Sequence, residues 1–226
     1  MTPADVSSAI ARAVGVRDVP LTCLGAGVYG SPVALRMGLD AEGVAARVRG
    51  ERGVVGVEAS NGFLTVSVGI PETVQSVLAE GDSYGVAKVP AGSWEDRPRT
   101  LVNPGFRVRY AYARAAAVGR RARDFGLSGG AAEGLCDEEL AVVRALGDFP
   151  GRAAQASREQ DATALMKCLV RLGDAFHGAY ERCPALPQGD EKPGAVHEAR
   201  VTLAEAARIA LGNGLNMIGE TPRERI

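Results

Sequence analysis

The chain has 226 residues, of which 46% are hydrophobic, and a formal net charge of −1. The length suits one larger domain or two small ones, and the hydrophobic content excludes a globally disordered chain. Residues 1–95 hold 7 basic and 10 acidic side chains, net −3, and residues 96–226 hold 19 basic and 17 acidic side chains, net +2. Neither half therefore carries the broad basic surface that is typical of proteins that bind nucleic acid through net charge.

The first predicted element is a helix at the start of the chain. Thr2 is a suitable N-cap, Pro3 suits the first helical position, and apolar side chains then recur at helical spacing. The elements predicted after it are a strand at Val19–Leu24, helices at 31–37 and 40–49 separated by Gly38, strands at 53–60 and 62–69, and a helix at 71–81. The last two strands are joined by Asn61-Gly62, a pair typical of a type I′ hairpin turn.

The rest of the chain predicts helices only. Residues 86–104 contain three prolines and little periodicity, which indicates a linker. Helices are predicted at Phe106–Asp124, Asp137–Gly147, Gly151–Glu159, Asp161–Arg182, with a buried stripe that includes Tyr180, and His197–Gly212. The predicted fold is an α+β N-terminal domain with a small antiparallel sheet at 1–86, a linker at 87–103, and an all-α helix bundle at 104–226.

Gly25–Gly30 matches the pattern G-x-G-x-x-G between a predicted strand and a predicted helix. That context is typical of a dinucleotide-binding loop. The next strand, however, turns straight back through Asn61-Gly62, and no later strands complete a parallel sheet. We interpret the segment as a glycine-rich strand-to-helix turn and expect no bound cofactor.

The four cysteines, Cys23, Cys136, Cys168 and Cys183, lie far apart and form no C-x-x-C pair, so we expect no metal site. No apolar run reaches about 18 residues, so no membrane span is expected. The first residues include Asp5 and lack the apolar segment of a signal peptide. We therefore expect a reduced, cytoplasmic chain.

Eight arginines and no acidic residue lie between Arg97 and Arg123, a segment dominated by the predicted helix Phe106–Asp124. Projection at 3.6 residues per turn gathers on one face the side chains expected to be buried: Val108, Ala111, Tyr112, Ala115, Val118 and Ala122. A second stripe holds Arg107, Tyr110, Arg114 and Arg121, and a third holds Arg109, Arg120 and Arg123.

Two interpretations of this helix follow from its spacing. Guanidinium groups bind phosphates and an exposed ring such as Tyr110 stacks on unpaired bases, so the second stripe suits RNA. Alternatively, the helix is a solvated surface whose arginines pair with acids of neighbouring segments, for which Glu133, Asp137, Glu138 and Glu139 are available.

The C-terminal sequence resembles the end of arginyl-tRNA synthetases. Segments LVRLGDAFHGAYERCPAL (169–186) and ARVTLAEAARIALGNGLNMIGETPRERI (199–226) are similar to the helical DALR anticodon-binding domain, where a Phe-His-x-x-Tyr-x-x-Cys helix precedes a last helix and a Pro-Glu-Arg-Met-like end. Segment VRYAYAR (108–114) resembles the Val-Gln-Tyr-Ala-His-Ala-Arg helix that begins this domain. The resemblance covers residues 104–226.

The first domain also resembles this family. Segments GVYGSPVAL (27–35) and VVGVEASNGFLTVSV (54–68) look like parts of its N-terminal additional domain, and LAEGDSYG (78–85) looks like the stretch before its catalytic core. The H-x-G-H and K-M-S-K-S signatures of that ATP-binding core have no counterpart here. The resemblance therefore implies a non-catalytic relative and not an enzyme.

The resemblance also implies site residues. Tyr110 and Arg114 align with anticodon-loop contacts, and Ile226 stands where the family's final Met lies near the anticodon. We expect His177 to be a core or helix-surface histidine and not an RNA contact. The expected RNA-binding residues are Arg107, Arg109 and Arg121 on phosphates, Tyr110 stacked on a base, Arg114 on a base or phosphate, and Ile226.

The predicted function is that of a non-catalytic arginyl-tRNA synthetase relative that binds tRNA through the anticodon stem-loop, with arginine-accepting tRNA as the first candidate. The alternative is a protein-interaction module or accessory subunit that partners a synthetase or another tRNA-dependent enzyme without binding RNA tightly. The arginine stripe favours the first, and the near-neutral net charge favours the second.

Overall fold

The computed structural model describes residues 1–226 as an N-terminal unit with one sheet, followed by four long helices. The N-terminal elements are α1 (Pro3–Val14), β1 (Thr22–Gly25), β2 (Val28–Ser31), α2 (Val33–Met37), α3 (Ala41–Arg49), β3 (Val54–Ser60), β4 (Phe63–Val68) and α4 (Ile70–Glu80). The later helices are α5 (Pro104–Asp124), α6 (Asp137–Glu159), α7 (Thr163–Arg182) and α8 (Ala195–Met217). This confirms the predicted fold class. None of the helices is both long and apolar enough to cross a bilayer.

The four strands form an antiparallel sheet in the order β1-β2-β4-β3. The predicted hairpin between β3 and β4 turns at Asn61 and Gly62, whose φ angles are 51° and 77°. Both angles are positive, as a type I′ turn requires. The sheet and the helices α1 and α3 share a core that includes Val6, Ile10, Val44, Val48, Leu64 and Val66.

The glycine-rich segment Gly25–Gly30 leads from β1 into β2, a strand that the sequence analysis missed. Gly27 has a φ of 66°, and a Cβ atom there would lie 2.6 Å from the carbonyl oxygen of Val68. The glycine is therefore needed for the left-handed turn and for the close approach of β4. The expected strand-to-helix turn is wrong, because a four-residue strand that contains Gly30 carries little β propensity of its own.

Helix α6 is continuous where the sequence predicted two helices. It runs from Asp137 to Glu159 through Pro150. A proline removes one helical hydrogen bond and usually breaks a helix. Here Leu146, Phe149 and Ala153, on either side of Pro150, are completely buried. Packing of this face against the bundle core holds the helix together across the proline.

Helix α8 extends beyond its predicted end, through Gly212 and Gly214 to Met217. A Cβ atom on Gly214 would collide with Leu169 of α7, and one on Gly212 would lie 3.1 Å from the ring of Tyr112 on α5. The two glycines therefore stand where neighbouring helices approach closely, and burial outweighs their low helix propensity. This packing positions α5 against α8 and α7.

The turn after α4 joins the N-terminal unit to the bundle. The hydroxyl of Tyr84 donates to the carbonyl oxygen of Leu146 at 2.8 Å, and the side-chain amide of Asn213 donates to two carbonyl oxygens of the turn at 3.0 Å each. The segment from Val86 to Asn103 contains no helix or strand, and its Trp94 packs against the bundle core. The domain boundaries at 86–87 and 103–104 stay a prediction.

Candidate nucleic-acid interface

Helix α5 begins with a well-formed cap. The side-chain oxygen of Asn103 accepts hydrogen bonds from the backbone N–H groups of Gly105 and Phe106 at 2.9 and 3.2 Å, and Pro104 occupies the first turn. The predicted inner face is buried in full, from Val108 to Ala122 and including Tyr112. Because this face packs against α7 and α8, the arginine stripes lie along the two edges of α5.

One edge of α5 lies beside α7 and pairs with its acids. Arg107 Nη1 donates to both carboxylate oxygens of Asp174 at 2.9 and 3.1 Å, and Arg114 Nη1 donates to Glu181 at 3.2 Å. The two arginines and the two acids have the same spacing along their helices, so α5 and α7 run side by side in the same direction. The side chains of Asp174 and Glu181 are 45% and 60% exposed, so both are surface ion pairs of low stability.

The aromatic ring of Tyr110 lies between these two ion pairs. Its centroid is 5.6 Å from that of Phe106, in a stacked arrangement, and 5.6 Å from that of His177. The guanidinium of Arg114 lies 4.4 Å from the centroid of Tyr110 and 4.6 Å from that of Tyr180, which fixes it by two cation–π contacts. We call the surface formed by these groups the α5–α7 face; its members are Phe106, Arg107, Tyr110, Arg114, His177 and Tyr180.

His177 forms hydrogen bonds with two other members of the α5–α7 face, Arg107 and Arg114. Its Nε2 lies 3.0 Å from the carbonyl oxygen of Arg107, and its Nδ1 lies 3.1 Å from Arg114 Nη1. Since Arg114 can only donate, Nδ1 accepts and Nε2 donates, which assigns the neutral imidazole with its proton on Nε2. Burial lowers the pKa of His177 and so favours the same neutral form. It is therefore a buried, hydrogen-bonded histidine, as expected.

The other edge of α5 is covered by the segment that follows α8. Arg109 donates from Nε and Nη2 to the two carboxylate oxygens of Glu220 at 2.7 and 2.8 Å. These hydrogen bonds raise the pKa of Arg109. The two side chains are 23% and 17% exposed, which makes this the least exposed ion pair of α5. Arg120 pairs with Glu224 at 2.8 Å in the same segment.

A cleft of about 440 Å³ opens between the start of α5 and this segment, and we call it the tail cleft. Phe106, Arg109 and Ile226 line it, together with Arg99, Arg223 and Arg225 and the acids Asp96 and Glu220. Arginines therefore outnumber carboxylate side chains in its wall. Because Phe106 also stacks on Tyr110, the tail cleft adjoins the α5–α7 face.

Four arginines of α5 are neutralised, but not by the acids that the sequence analysis named. Glu138 pairs with Arg182 and Glu139 with Arg200 instead. Glu139 also accepts a hydrogen bond from the backbone N–H of Cys136 at 2.8 Å, so acids of this turn stabilise the start of α6. The four acids that the sequence made available, Glu133, Asp137, Glu138 and Glu139, do not pair with α5; its partners are Asp174, Glu181, Glu220 and Glu224.

Of the six predicted site residues, Arg107, Tyr110 and Arg114 meet in the α5–α7 face, and Arg109 and Ile226 meet in the tail cleft. Arg121 lies about two turns beyond Arg114; it is exposed and has no carboxylate within ion-pair distance. The sequence analysis missed Phe106 and assigned Tyr180 to a buried stripe, although its ring faces Arg114. It also missed Arg223 and Arg225, which the alternation in PRERI could have suggested.

The chain is similar to a known protein family and to two solved structures. The family described as "DALR anticodon binding domain" matches residues 108–226. The chain is also similar to Thermus thermophilus arginyl-tRNA synthetase, with 25% identity and a TM-score of 0.45 over 54% of this chain and 21% of that one. A putative arginyl-tRNA synthetase from Campylobacter jejuni shows 14% identity and a TM-score of 0.48 over 57% of this chain and 28% of that one.

The chain thus spans less than a third of the length of both synthetases. The family match, in contrast, covers more than half of this chain. It includes nearly all of α5, the helices α6 to α8 and the segment that closes the tail cleft. The chain belongs to the DALR anticodon-binding domain family.

Proposed function

We propose that this chain binds tRNA through the anticodon stem-loop and that residues 1–226 do not activate an amino acid. The observation that carries the proposal is the α5–α7 face, where aromatic rings pack against guanidinium groups along α5. This helix begins the part of the chain that matches the family described as "DALR anticodon binding domain". The lack of H-x-G-H and K-M-S-K-S signatures in the sequence supports the non-catalytic part.

The side chains of α5 have separate roles in this proposal. Arg107, Arg109 and Arg121 bind backbone phosphates, because the planar guanidinium fork matches phosphate oxygens. Arg114 contacts a base or a phosphate from its position between the two tyrosine rings. Ile226 offers an apolar contact in the wall of the tail cleft.

Base stacking involves the whole row of side chains on α5. Phe106, Tyr110 and Arg114 are spaced four residues apart and stack on one another along the helix. Arg114 and Phe106 both pack against the ring of Tyr110. In this proposal an unpaired base therefore continues the stack on the half-exposed ring of Phe106 and not on Tyr110, the stacking residue expected from the sequence. Stacking of this kind contributes about 1–3 kcal/mol per base.

The ion pairs that Arg107 and Arg114 make with α7 do not prevent phosphate binding. Asp174 and Glu181 are 45% and 60% exposed, and pairs of this kind contribute about 0–1 kcal/mol. Exchange of such a carboxylate for a phosphate therefore costs little.

Titration of unmodified tRNA with the purified chain tests the proposal. Three phosphate contacts predict that affinity falls about 20–40-fold between 50 and 200 mM salt. The double variant Tyr110→Ala/Arg114→Ala should lose most of the binding. Arg158→Ala serves as the matched control, because Arg158 is an exposed arginine of α6 without an ion-pair partner. Absence of salt-sensitive binding at micromolar protein rejects the proposal, and wild-type affinity in the double variant rejects this face.

A protein-interaction or accessory role is the second candidate. The observation that favours it is that four arginines of α5 already have carboxylate partners in a chain whose net charge is −1. The partner would be a synthetase or another tRNA-dependent enzyme. Affinity purification after nuclease treatment separates the two: recovery of a protein partner, together with no tRNA binding by the pure chain, supports this candidate over the first.

A further inference from the structure

Two cysteine side chains meet at the open end of the hairpin formed by α6 and α7. Cys136 is the N-cap of α6 and Cys183 is the C-cap of α7. Their Sγ atoms are 2.7 Å apart although the residues are separated by 47 positions in the chain. Both cysteines are free thiols. The helices α6 and α7 thus bring together a thiol pair that the proposed tRNA site does not use.

We propose that Cys136 and Cys183 are a reversible redox pair, which hydrogen peroxide converts into an intrachain disulfide across the open end of the α6–α7 hairpin. The S–S bond of a disulfide is about 2.05 Å long, so closure moves the sulfur atoms by less than about 1 Å. Cys136 is half-buried, which leaves a small oxidant a path to the pair.

The chemistry balances with peroxide as the two-electron oxidant. One thiol loses its proton, and its thiolate attacks peroxide to give a sulfenic acid and hydroxide, which takes up that proton and leaves as water. The second thiol then attacks the sulfenic sulfur, and the sulfenic hydroxyl leaves with the thiol proton as a second water. The net reaction converts two thiols and one peroxide into one disulfide and two waters. Burial, followed by the hydrogen bond to Cys183, raises the pKa of Cys136, so little of its thiolate is present at pH 7. Since the thiolate is the nucleophile, oxidation should become faster as the pH rises from 7 to 9.

Zinc binding is the competing use of these sulfur atoms. A carboxylate oxygen of Glu138 and the two Sγ atoms all lie within 4.8 Å of one another. A structural zinc site requires four ligands, and only three protein donors are present. The carboxylate of Glu138 also accepts a hydrogen bond from Arg182 at 3.3 Å. The geometry therefore suits a disulfide better than a metal site.

The disulfide would act on the last turn of α7. Tyr180 and Glu181 in that turn hold the guanidinium of Arg114, and Cys183 follows two residues later. Fixing this turn organises the α5–α7 face in advance, so oxidation should tighten tRNA binding by about twofold or more. This regulatory part rests on the proposed tRNA function, whereas the disulfide itself does not.

Peptide mapping of the full chain without reductant, before and after peroxide treatment, tests the pair. We expect one new cross-linked species that joins the Cys136 and Cys183 peptides, is lighter by two hydrogen atoms, and disappears with dithiothreitol. Cys136→Ser should abolish it. Cys168→Ser should not, because Cys168 is buried elsewhere in the core. A Cys23 or Cys168 cross-link, over-oxidation without a cross-link, or stoichiometric zinc that protects both thiols would overturn the proposal.

The tRNA affinities of the reduced and oxidised wild-type chain are then compared. Equal affinities with the cross-link present reject the regulatory part and leave the disulfide intact. If neither the reduced nor the oxidised chain binds tRNA, the proposed function fails, while the peptide map still reports on the thiol pair. Since the map uses the wild-type chain, a variant that does not fold leaves the conclusion unaffected.

Discussion

Replacing Glu220 with glutamine removes the charge that neutralises Arg109 and keeps the shape of the side chain. Glutamine retains one acceptor oxygen, so one of the two charge-assisted hydrogen bonds, at 2.7 and 2.8 Å, is lost. The pair is 23% and 17% exposed, and solvent screening limits its contribution. We expect the free energy of unfolding to fall by about 1 kcal/mol.

The same substitution should strengthen tRNA binding. With the carboxylate gone, Arg109 offers its fork to a phosphate without first breaking an ion pair. Arg109 is one of the three proposed phosphate contacts, but in the wild-type chain Glu220 competes with the phosphate for its guanidinium. Without this competitor the contact is made in full, which steepens the dependence of log K on log salt by up to about 0.7–0.9, or up to about threefold in affinity between 200 and 50 mM salt. The variant therefore gains affinity mainly at low salt although it is less stable.

Fluorescence anisotropy with labelled tRNA at several salt concentrations measures this slope. Glu205→Gln is the matched control, because Glu205 pairs with Arg208 on α8 through two hydrogen bonds at 2.6 and 2.8 Å and does not line the tail cleft. It changes the net charge equally, yet it should leave the slope at the wild-type value. An unchanged slope in Glu220→Gln would contradict the competition between Glu220 and a phosphate for Arg109.

Three further predictions concern α5 and its neighbours. Arg121→Ala should reduce the slope of log K for tRNA against log salt by about 0.7–0.9. It should change the free energy of unfolding by less than about 0.5 kcal/mol, since the side chain is exposed and unpaired. A wild-type slope in this variant would contradict a phosphate contact of Arg121. Ala111→Leu should cost about 1–3 kcal/mol in urea unfolding, because the completely buried Ala111 lies where Gly173 lets α7 approach; an unchanged midpoint would contradict this packing. The pKa of His177 is lowered in the folded state, so its contribution to stability is present above the pKa of the unfolded chain and is lost as the pH falls through the folded value. The loss of melting temperature between pH 7 and 5 should be smaller in His177→Asn than in wild type, and equal losses would count against the buried neutral form.

Local sequence signals predicted the elements that depend on local geometry. Thr2 and Pro3 start α1 with a capping box, and Asn61-Gly62 forms the left-handed turn between β3 and β4. The errors lie where packing outweighs propensity. Pro150 stays inside α6 because the residues around it are buried, and α8 continues through glycines that let two helices approach. A short strand such as β2 depends on its neighbours and has no signal of its own.

In the candidate site, too, local sequence predicted some features and tertiary packing determined the others. Helical periodicity placed Tyr112 inside and Tyr110 outside, because both directions follow from 3.6 residues per turn. It did not identify the acids that pair with α5. Asp174 lies 67 residues from Arg107 in the chain, and Glu220 lies 111 residues from Arg109. Such partners are determined by the packing of α5 against α7 and α8, and spacing within one helix contains no information about them.

A nuclease-protection map of tRNA bound to the full chain tests directly whether the α5–α7 face binds the anticodon stem-loop. We expect protection of the anticodon loop and the adjoining stem, which disappears in Tyr110→Ala/Arg114→Ala and remains in Arg158→Ala. Protection confined to the acceptor stem or the elbow, or an unprotected tRNA at saturating protein, would contradict anticodon stem-loop binding by the α5–α7 face.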